Sequence, residues 1–360
     1  MSRIRILEIS GTPYEMGYRH GETYADAIRM FTEERVRLSS SEHWTGRNLS
    51  QAQVLALAEA CLDEHRAYAP ELVEELQGIA DATGLGLAEL VIMNGFTDFI
   101  DVVYNVGERV AQPGRVADNC TAFLVPDSAT ADGHGFFGQT WDMHATATPY
   151  VLLLHGKPAD SPAFLSYTIT GCVGMIGMNE AGIAVGINNL SGGDGQIGVT
   201  WPFVIRKILA QETLDEALEC LTTAKLAGAH NYLLFDKHGR GYNIEAMSTH
   251  QHIDELEGEV IVHTNHCLIQ RNINVERERT PESQANSEDR HAHANELLGQ
   301  RPVTEDTLMA LTRNEDSICR RPEPPMHVES CGAAIMRPAT GDFWAVWGLP
   351  SENEYERITL

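Results

Sequence analysis

The sequence predicts an α+β protein built on antiparallel sheets, with a mainly helical N-terminal segment. Three observations carry that expectation. Helical spacing of apolar residues dominates the stretch up to about residue 105 after one opening strand; the period turns strand-like from Cys120; and the β-rich runs beyond it are joined by short turn pairs while helices arrive in blocks.

Taken in order, Met1 to Glu8 alternates as a strand does. In Gly11-Thr12-Pro13-Tyr14-Glu15-Met16-Gly17-Tyr18-Arg19-His20-Gly21, Thr12 is an N-cap, Pro13 takes the first helical position and Glu15 closes a capping box. Ser50 caps a helix whose Val54, Leu55, Ala58, Cys61 and Leu62 share one face. Pro70 starts another, carrying Leu72, Val73, Leu76, Ile79 and Ala80 and stopped near Gly84, and a shorter one runs from Leu87 to about Asn94. Gln112-Pro113-Gly114 reads as an exposed linker. Strands are expected at 121–125, 135–139, 150–154, 163–169, 173–178, 183–188, 231–235, 242–245, 260–263, 333–336 and 343–347, interrupted by helices at 203–209 and 214–221. The polar segment from Asn274 to Asp289 reads as a surface loop, Ser191-Gly192-Gly193-Asp194-Gly195 as a mobile loop near a pocket mouth, and His291-Ala292-His293 as a solvated pair at a helix start.

Composition bounds the function. With 360 residues and 43% hydrophobic content the chain can bury a large core, which makes it a globular protein. No secretory h-region or spanning apolar run is present, so a cytoplasmic location and no membrane partner are expected. A formal charge of −25, from 26 basic against 51 acidic residues, argues against nucleic acid as a partner. The seven cysteines are odd in number and lack a C-x-x-C pair, which points to reduced, mostly buried thiols rather than a disulfide frame or zinc site.

The chemistry concentrates in Asp118-Asn119-Cys120-Thr121-Ala122-Phe123-Leu124-Val125-Pro126, answered downstream by Trp141-Asp142. A cysteine at the mouth of a β-favouring run is where an N-terminal nucleophile stands once the peptide bond before it is cut. The new α-amine, with a reference pKa of about 7.7–8.0, can take the thiol proton without a histidine. Taken alone, Asn-Cys-Thr is more often an ordinary buried strand cysteine.

Three further stretches add to it: Gly138-Gln139-Thr140-Trp141-Asp142, Val262-His263-Thr264-Asn265-His266-Cys267-Leu268 and Asp316-Ser317-Ile318-Cys319-Arg320. With these, the Gly11 to Gly21 stretch, and Gly177-Met178-Asn179-Glu180-Ala181-Gly182-Ile183-Ala184-Val185 followed by Asn188, nearly the whole chain resembles the acyl-coenzyme A:6-aminopenicillanic acid acyltransferase (isopenicillin N acyltransferase) family of N-terminal-nucleophile hydrolases. The resemblance implies a self-cleaving precursor folded as an αββα sandwich. Its small helical fragment would be residues 1–119, ending at Asn119, and its catalytic fragment residues 120–360, starting at Cys120. It further implies Cys120 as nucleophile, Asp142 as the acid orienting the nucleophile region, Asn265 as oxyanion donor assisted by Asn188, and Ser317 and Arg320 near the nucleophile. The sequence departs from the family pattern at Thr140, where Asn is usual, and at Asn119, where Gly is common.

The expected activity is that of a self-processing cysteine amide hydrolase acting on a small N-acyl amine, with acyl transfer to an amine, from an amide or acyl-coenzyme A, as the alternative. The expected partners are a small-molecule substrate and the two fragments of the chain itself, with a homo-oligomer left open. Neither a metal nor an organic cofactor is required. Two other classes compete: a histidine-based metallohydrolase, for which His263 and His266 are the candidates but no third ligand completes a site, and a silent binding protein on the same scaffold.

Overall fold

The structure is a computed structural model that describes residues 3–106, 120–324 and 327–360; Asn119 and the expected linker at 112–114 lie outside the described residues. The N-terminal segment runs β1 (Ile6–Gly11), α1 (Pro13–Thr23), α2 (Ala25–Ser39), α3 (Glu42–Thr45), α4 (Gln51–Tyr68), α5 (Pro70–Thr83), α6 (Leu87–Met93) and α7 (Phe96–Asn105). The expected Thr12–Glu15 capping box forms, and Ser50, expected as a cap, forms one as well with Gln53: Glu15 N donates to Thr12 Oγ1 at 3.3 Å, Gln53 N donates to Ser50 Oγ at 3.3 Å, and each N3 side chain accepts from its N-cap amide. Gly84, at φ +76°, closes α5 in the left-handed region that glycine enters without penalty. Helix α2 escapes the sequence pattern because Tyr24 supplies no side-chain cap and buried Thr32 and Arg35 interrupt its apolar stripe of Ile28, Phe31, Val36 and Leu38.

Helices α1 and α5 cross backbone to backbone. A Cβ on Gly17 would lie 1.8 Å from the Glu75 carbonyl oxygen, and one on Gly78 would lie 2.3 Å from the Tyr14 carbonyl oxygen. The glycines of the Gly11 to Gly21 stretch are therefore explained by this crossing as well as by the turn into the helix.

Beyond Cys120 come β2 (Ala122–Val125), β3 (Phe136–His144), β4 (Val151–Pro158), β5 (Phe164–Ile169), β6 (Ile176–Asn179), β7 (Ile183–Asn189), α8 (Trp201–Ile208), α9 (Leu214–Thr222), β8 (His230–Asp236), β9 (Gly241–Ala246), β10 (Gln251–Glu255) and β11 (Ile261–His263). The chain ends with α10 (Gln270–Ile273), α11 (Pro281–Leu298), α12 (Glu305–Thr312), β12 (Val328–Arg337), β13 (Asp342–Trp347) and β14 (Glu356–Thr359). One sheet has eight strands in the order β1-β4-β5-β6-β7-β8-β9-β10, the other six in the order β11-β2-β3-β12-β13-β14. They pack face to face: the Gln139 amide donates to Ile187 O and accepts from Ile187 N at 3.0 Å, and Tyr167 Oη donates to Cys331 O at 3.0 Å. Helices α8 and α9 cover the eight-stranded sheet and α11 and α12 the six-stranded one, which makes an αββα sandwich.

Three expectations need correction. The sheets are not wholly antiparallel, because β1 pairs parallel to β4; the helices α1 to α7 and the strands β2 and β3 lie between them, a connection long enough for a parallel crossover. The 274–289 segment is not a loop, since α11 begins at Pro281 with Ser283 N donating to the Thr280 N-cap. Its buried face is Ser287, Arg290, Ala294 and Leu298, half of it polar, so no apolar period marks it. His291 and His293 accordingly sit in mid-helix, not at a start. Strands β10 and β14 were not anticipated, being polar, largely exposed strands at sheet edges.

All seven cysteines are buried and none is in a disulfide. Among the described residues no single helix is long and apolar enough to cross a membrane. The α1–α5 crossing gives a direct test: Gly17→Ala should lower unfolding free energy by about 3 kcal/mol in urea denaturation, the upper range for overpacking, whereas Gly84→Asn, at the left-handed cap, should cost under about 1 kcal/mol.

Candidate active site

Cys120 stands just before β2, and Thr121 fixes it in the sheet: Thr121 N donates to Thr140 Oγ1 at 3.1 Å and Thr140 N to Thr121 O at 2.9 Å. Its side chain, only 2% exposed, lies against the next strand, where Asp142 N donates to Sγ at 3.5 Å and Sγ is 3.9 Å from Asp142 O. The Cys120 carbonyl is gripped from two directions. Asn188 Nδ2 reaches it at 3.2 Å from β7 of the facing sheet, and Arg290 Nη1 at 2.7 Å from α11.

Arg290 is the residue that sequence reasoning missed. It is fully buried, and besides Cys120 O it donates to Thr121 Oγ1 at 3.1 Å, to Asn265 Oδ1 at 3.0 Å and, through Nε, to Asn286 Oδ1 at 3.0 Å. Because Asn265 Oδ1 is taken by the guanidinium, the direction of its amide is fixed, with Nδ2 donating to Asn189 O at 3.0 Å. The Asn265 backbone is fixed too, its N–H donating to Ser287 Oγ at 2.9 Å and its carbonyl accepting from Arg279 at 2.5 Å. The signal that could have revealed Arg290 is Thr280-Pro281 as cap and first helical residue, followed by Ser287, Arg290, Ala294 and Leu298 at helical spacing.

Asp142 touches the sulfur through its backbone, while its carboxylate turns to Ser330, whose Oγ donates to Oδ1 at 2.8 Å. Ser330 sits at a β-bulge in β12, and its Oγ also accepts from Arg320 N at 2.9 Å. Burial pushes the Asp142 carboxyl up to about 6, against the opposing pull of Arg290, the Ser330 hydroxyl, Arg320 and Thr140. Burial likewise lowers Arg290 to about 10, with Asp142 and Cys120 pulling it back up. Arg320 is thus linked to Asp142 through the Ser330 hydroxyl. Ser317 goes elsewhere: its Oγ meets His293 Nδ1 at 2.7 Å. The structure therefore groups Cys120, Asp142, Asn188, Asn265 and Arg320 with Arg290, and turns Ser317 toward α11.

The remaining candidates have structural partners. His263 Nε2 lies 3.1 Å from Glu245 Oε1, both wholly buried, and His266 Nδ1 lies 2.8 Å from Ser287 Oγ. Among the described residues no group of three or more His, Cys, Asp and Glu is placed to ligate a metal ion. The turn at 191–195, expected to be a mobile loop, is tied down: Gly192 N donates to Asp101 Oδ2 at 3.1 Å, Gly193 N to Val275 O at 2.9 Å and Arg277 N to Ser191 O at 2.7 Å.

A family model described as acyl-coenzyme A:6-aminopenicillanic acid acyl-transferase matches residues 128–352. The chain is 26% identical over 320 residues to the 40 kDa form of acyl-coenzyme A:6-aminopenicillanic-acid-acyltransferase of Emericella nidulans, covering 86% of this chain and 83% of that one. Similar solved structures include a mutant of conjugated bile acid hydrolase from Clostridium perfringens, with 10% identity, a TM-score of 0.47 and coverage of 67% of this chain and 92% of that one. Penicillin V acylase from Agrobacterium tumefaciens gives 12% identity, a TM-score of 0.41 and coverage of 67% and 86%.

Because the folded Asp142 carboxyl titrates near 6 and the unfolded one near 3.8, ionisation opposes folding; the penalty is absent below about pH 4, grows between the two values and is complete above about pH 6. Thermal denaturation of Asp142→Asn against the parent chain should therefore show the variant gaining relative stability as pH rises from 4 to 7, by on the order of 3 kcal/mol at most. Removing the cation instead, in Arg290→Met, should cost about 3–5 kcal/mol at neutral pH, the usual cost of leaving buried partners unmatched.

Proposed function

Since the chain belongs to the acyl-coenzyme A:6-aminopenicillanic acid acyl-transferase family, whose model matches more than half of it, we propose that it is a self-processing N-terminal-nucleophile enzyme that cleaves a small N-acyl amine through an acyl-enzyme on Cys120. Processing divides the chain into residues 1–119 and 120–360. Sγ adds to the Asn119 carbonyl, the peptide C–N bond breaks with the thiol proton passing to nitrogen, and water opens the thioester to give the Asn119 carboxylate and restore the thiol.

In turnover the freed α-amine takes the thiol proton and Sγ adds to the substrate carbonyl. The α-amine then returns that proton to the leaving amine as the C–N bond breaks, and water releases the acyl group as an acid. Asn265 serves as oxyanion donor. One Nδ2 hydrogen is engaged by Asn189 O, and the second is available to the developing alkoxide because an amide nitrogen carries two. Asn188 and Arg290 hold the Cys120 carbonyl and keep the nucleophile in register, and Asp142, in the reach of Arg290 and Arg320, supplies negative charge near the α-amine. Arg320 and Ser317 keep the supporting roles that their motif implies, Ser317 through His293.

The observation that carries this reading is the convergence of Asn188 and Arg290, from β7 and α11, on the Cys120 carbonyl, with Asn265 bound to the same Arg290 guanidinium. Acyl transfer is favoured as a second reading by the family match itself. Adding hydroxylamine to a turning-over reaction separates the two, because an amine-accepting site diverts the acyl group to hydroxamate whereas a water-selective one does not.

Intact mass and N-terminal sequencing of the purified protein should give two fragments, the larger starting at Cys120, while Cys120→Ala should stay one chain without activity. A processed, active alanine variant would remove Cys120 from the reaction. Asn265→Ala should lower kcat by roughly 10²–10³-fold, the cost of one oxyanion donor, and an unchanged rate would remove it from the site.

A further inference from the structure

The turn that carries Asn265 is wrapped around one buried carboxylate of the opposite sheet. Glu245, on β9, is wholly buried and accepts from both flanks of that turn. Ahead of Asn265, His263 Nε2 lies 3.1 Å from Oε1. Behind it, Leu268 N donates to Oε1 at 2.5 Å, Ile269 N to Oε2 at 3.3 Å and Asn272 Nδ2 to Oε2 at 2.8 Å. Burial alone would raise the Glu245 carboxyl, but the bonds from His263, Leu268 and Asn272 together hold it below the usual carboxylate range, so it stands as an anion at neutral pH.

Asn188 pairs with Asn231 and Asn231 with Glu245, so the three side chains form one row across β7, β8 and β9 on the face toward the six-stranded sheet. At one end of the row Asn188 holds the Cys120 carbonyl; at the other Glu245 holds the chain on either side of Asn265. Two strand spacings separate the ends, about 10 Å. The eight-stranded sheet therefore sets the distance between the nucleophile and the amide donor. Strand β11 does not reach that far: its pairing with β2 stops at His263, two residues short of Asn265. Ser287, Arg279 and Arg290 fix Asn265 itself from the α11 side. Glu245 fixes the chain before and after it from the sheet side.

We propose that Glu245 is a positioning residue for the oxyanion donor: by anchoring both sides of Asn265 to the row that also holds Cys120, it keeps the Asn265 amide at bonding distance from the carbonyl oxygen that the sulfur attacks. It acts through the turn and not on the reacting atoms. The oxyanion role rests on the reading of Cys120 as nucleophile, whereas the anchoring stands without it. A donor is worth most when it need not move as charge develops, and a carboxylate that takes its hydrogen bonds from one short segment is a stiff anchor for that segment.

The test compares two reactions of the same sulfur in the purified protein and in Glu245→Gln. p-Nitrophenyl butyrate acylates a thiol through a tetrahedral oxyanion and releases nitrophenolate; iodoacetamide alkylates it by displacing iodide and forms no oxyanion. Butyrylation of Cys120, followed by nitrophenolate release and by the mass of its peptide, should slow roughly tenfold, a part of what one oxyanion donor is worth, while alkylation keeps the parent rate. In the Asn265→Ala background the same substitution should slow acylation no further. Asn272→Leu removes one donor and leaves the carboxylate; it should slow acylation in the same selective way, and it carries the test should Glu245→Gln fail to fold. Amide hydrogen exchange reads the anchoring without any reaction: the 263–272 peptide should exchange faster in either variant, with 120–125 unchanged. Equal acylation rates in parent and variants, slowing of both reactions alike, or unchanged exchange at 263–272 overturns the proposal. A parent chain that neither reagent labels at Cys120 defeats the nucleophile reading and the oxyanion role with it, and exchange then decides the anchoring alone.

Discussion

The Arg290 guanidinium is the interaction on which the candidate site depends. It ties α11 to the first residues of β2 and to the turn that carries Asn265, bringing three distant parts of the chain to one point. Burying such a group is costly, and the cost is met only when nearly all its donors find acceptors. Here they find a backbone carbonyl, a hydroxyl and two amide oxygens, with Asp142 supplying charge nearby. Two of those acceptors, the Cys120 carbonyl and the Asn265 amide, are groups that the proposed mechanism needs held in place, so there the same bonds would serve stability and preorganisation.

The sandwich presents this point at one end of its inter-sheet layer. Gln139 stitches the two sheets through both backbone groups of Ile187, and one residue further along β7 Asn188 reaches Cys120. The side chains between the sheets change there from apolar to amide, which is tolerable only because each amide has a backbone partner across the layer. The N-terminal helices complete the arrangement from the side. Helices α2, α6 and α7 wall a small cavity next to Trp141, while Asp101 of α7 fixes the 191–195 turn through the Gly192 amide and pairs with Arg277 at 2.7 Å.

The charge distribution follows the same logic. Most of the acidity of the chain is at the surface, while Arg35, Arg206, Arg279 and Arg290 are buried at or near functional or packing junctions. Net charge thus describes solubility and long-range repulsion. At the candidate site, a single buried cation in low-dielectric surroundings acts more strongly than the remote, screened total.

What the sequence determined by itself was whatever is encoded locally. Thr12, Ser50, Pro70 and Gly84 set helix ends through groups within four residues, and alternating apolar runs set most strands. The ordered motifs around Cys120, Asp142 and Asn265 were legible as well, and they carried the family resemblance that the family match agrees with. The tertiary structure alone decided the parallel partner of β1, the edge strands β10 and β14, the face that the 281–298 helix buries, and the arrival of Arg290 at a carbonyl 170 positions away. The physical reason is common to all four. Each depends on partners distant in sequence: the alternation of β1 does not say which strand it pairs with, the edge strands and the buried face of the helix carry many polar residues that leave no apolar period, and the Thr280 cap marks where the helix starts but not what Arg290 will meet.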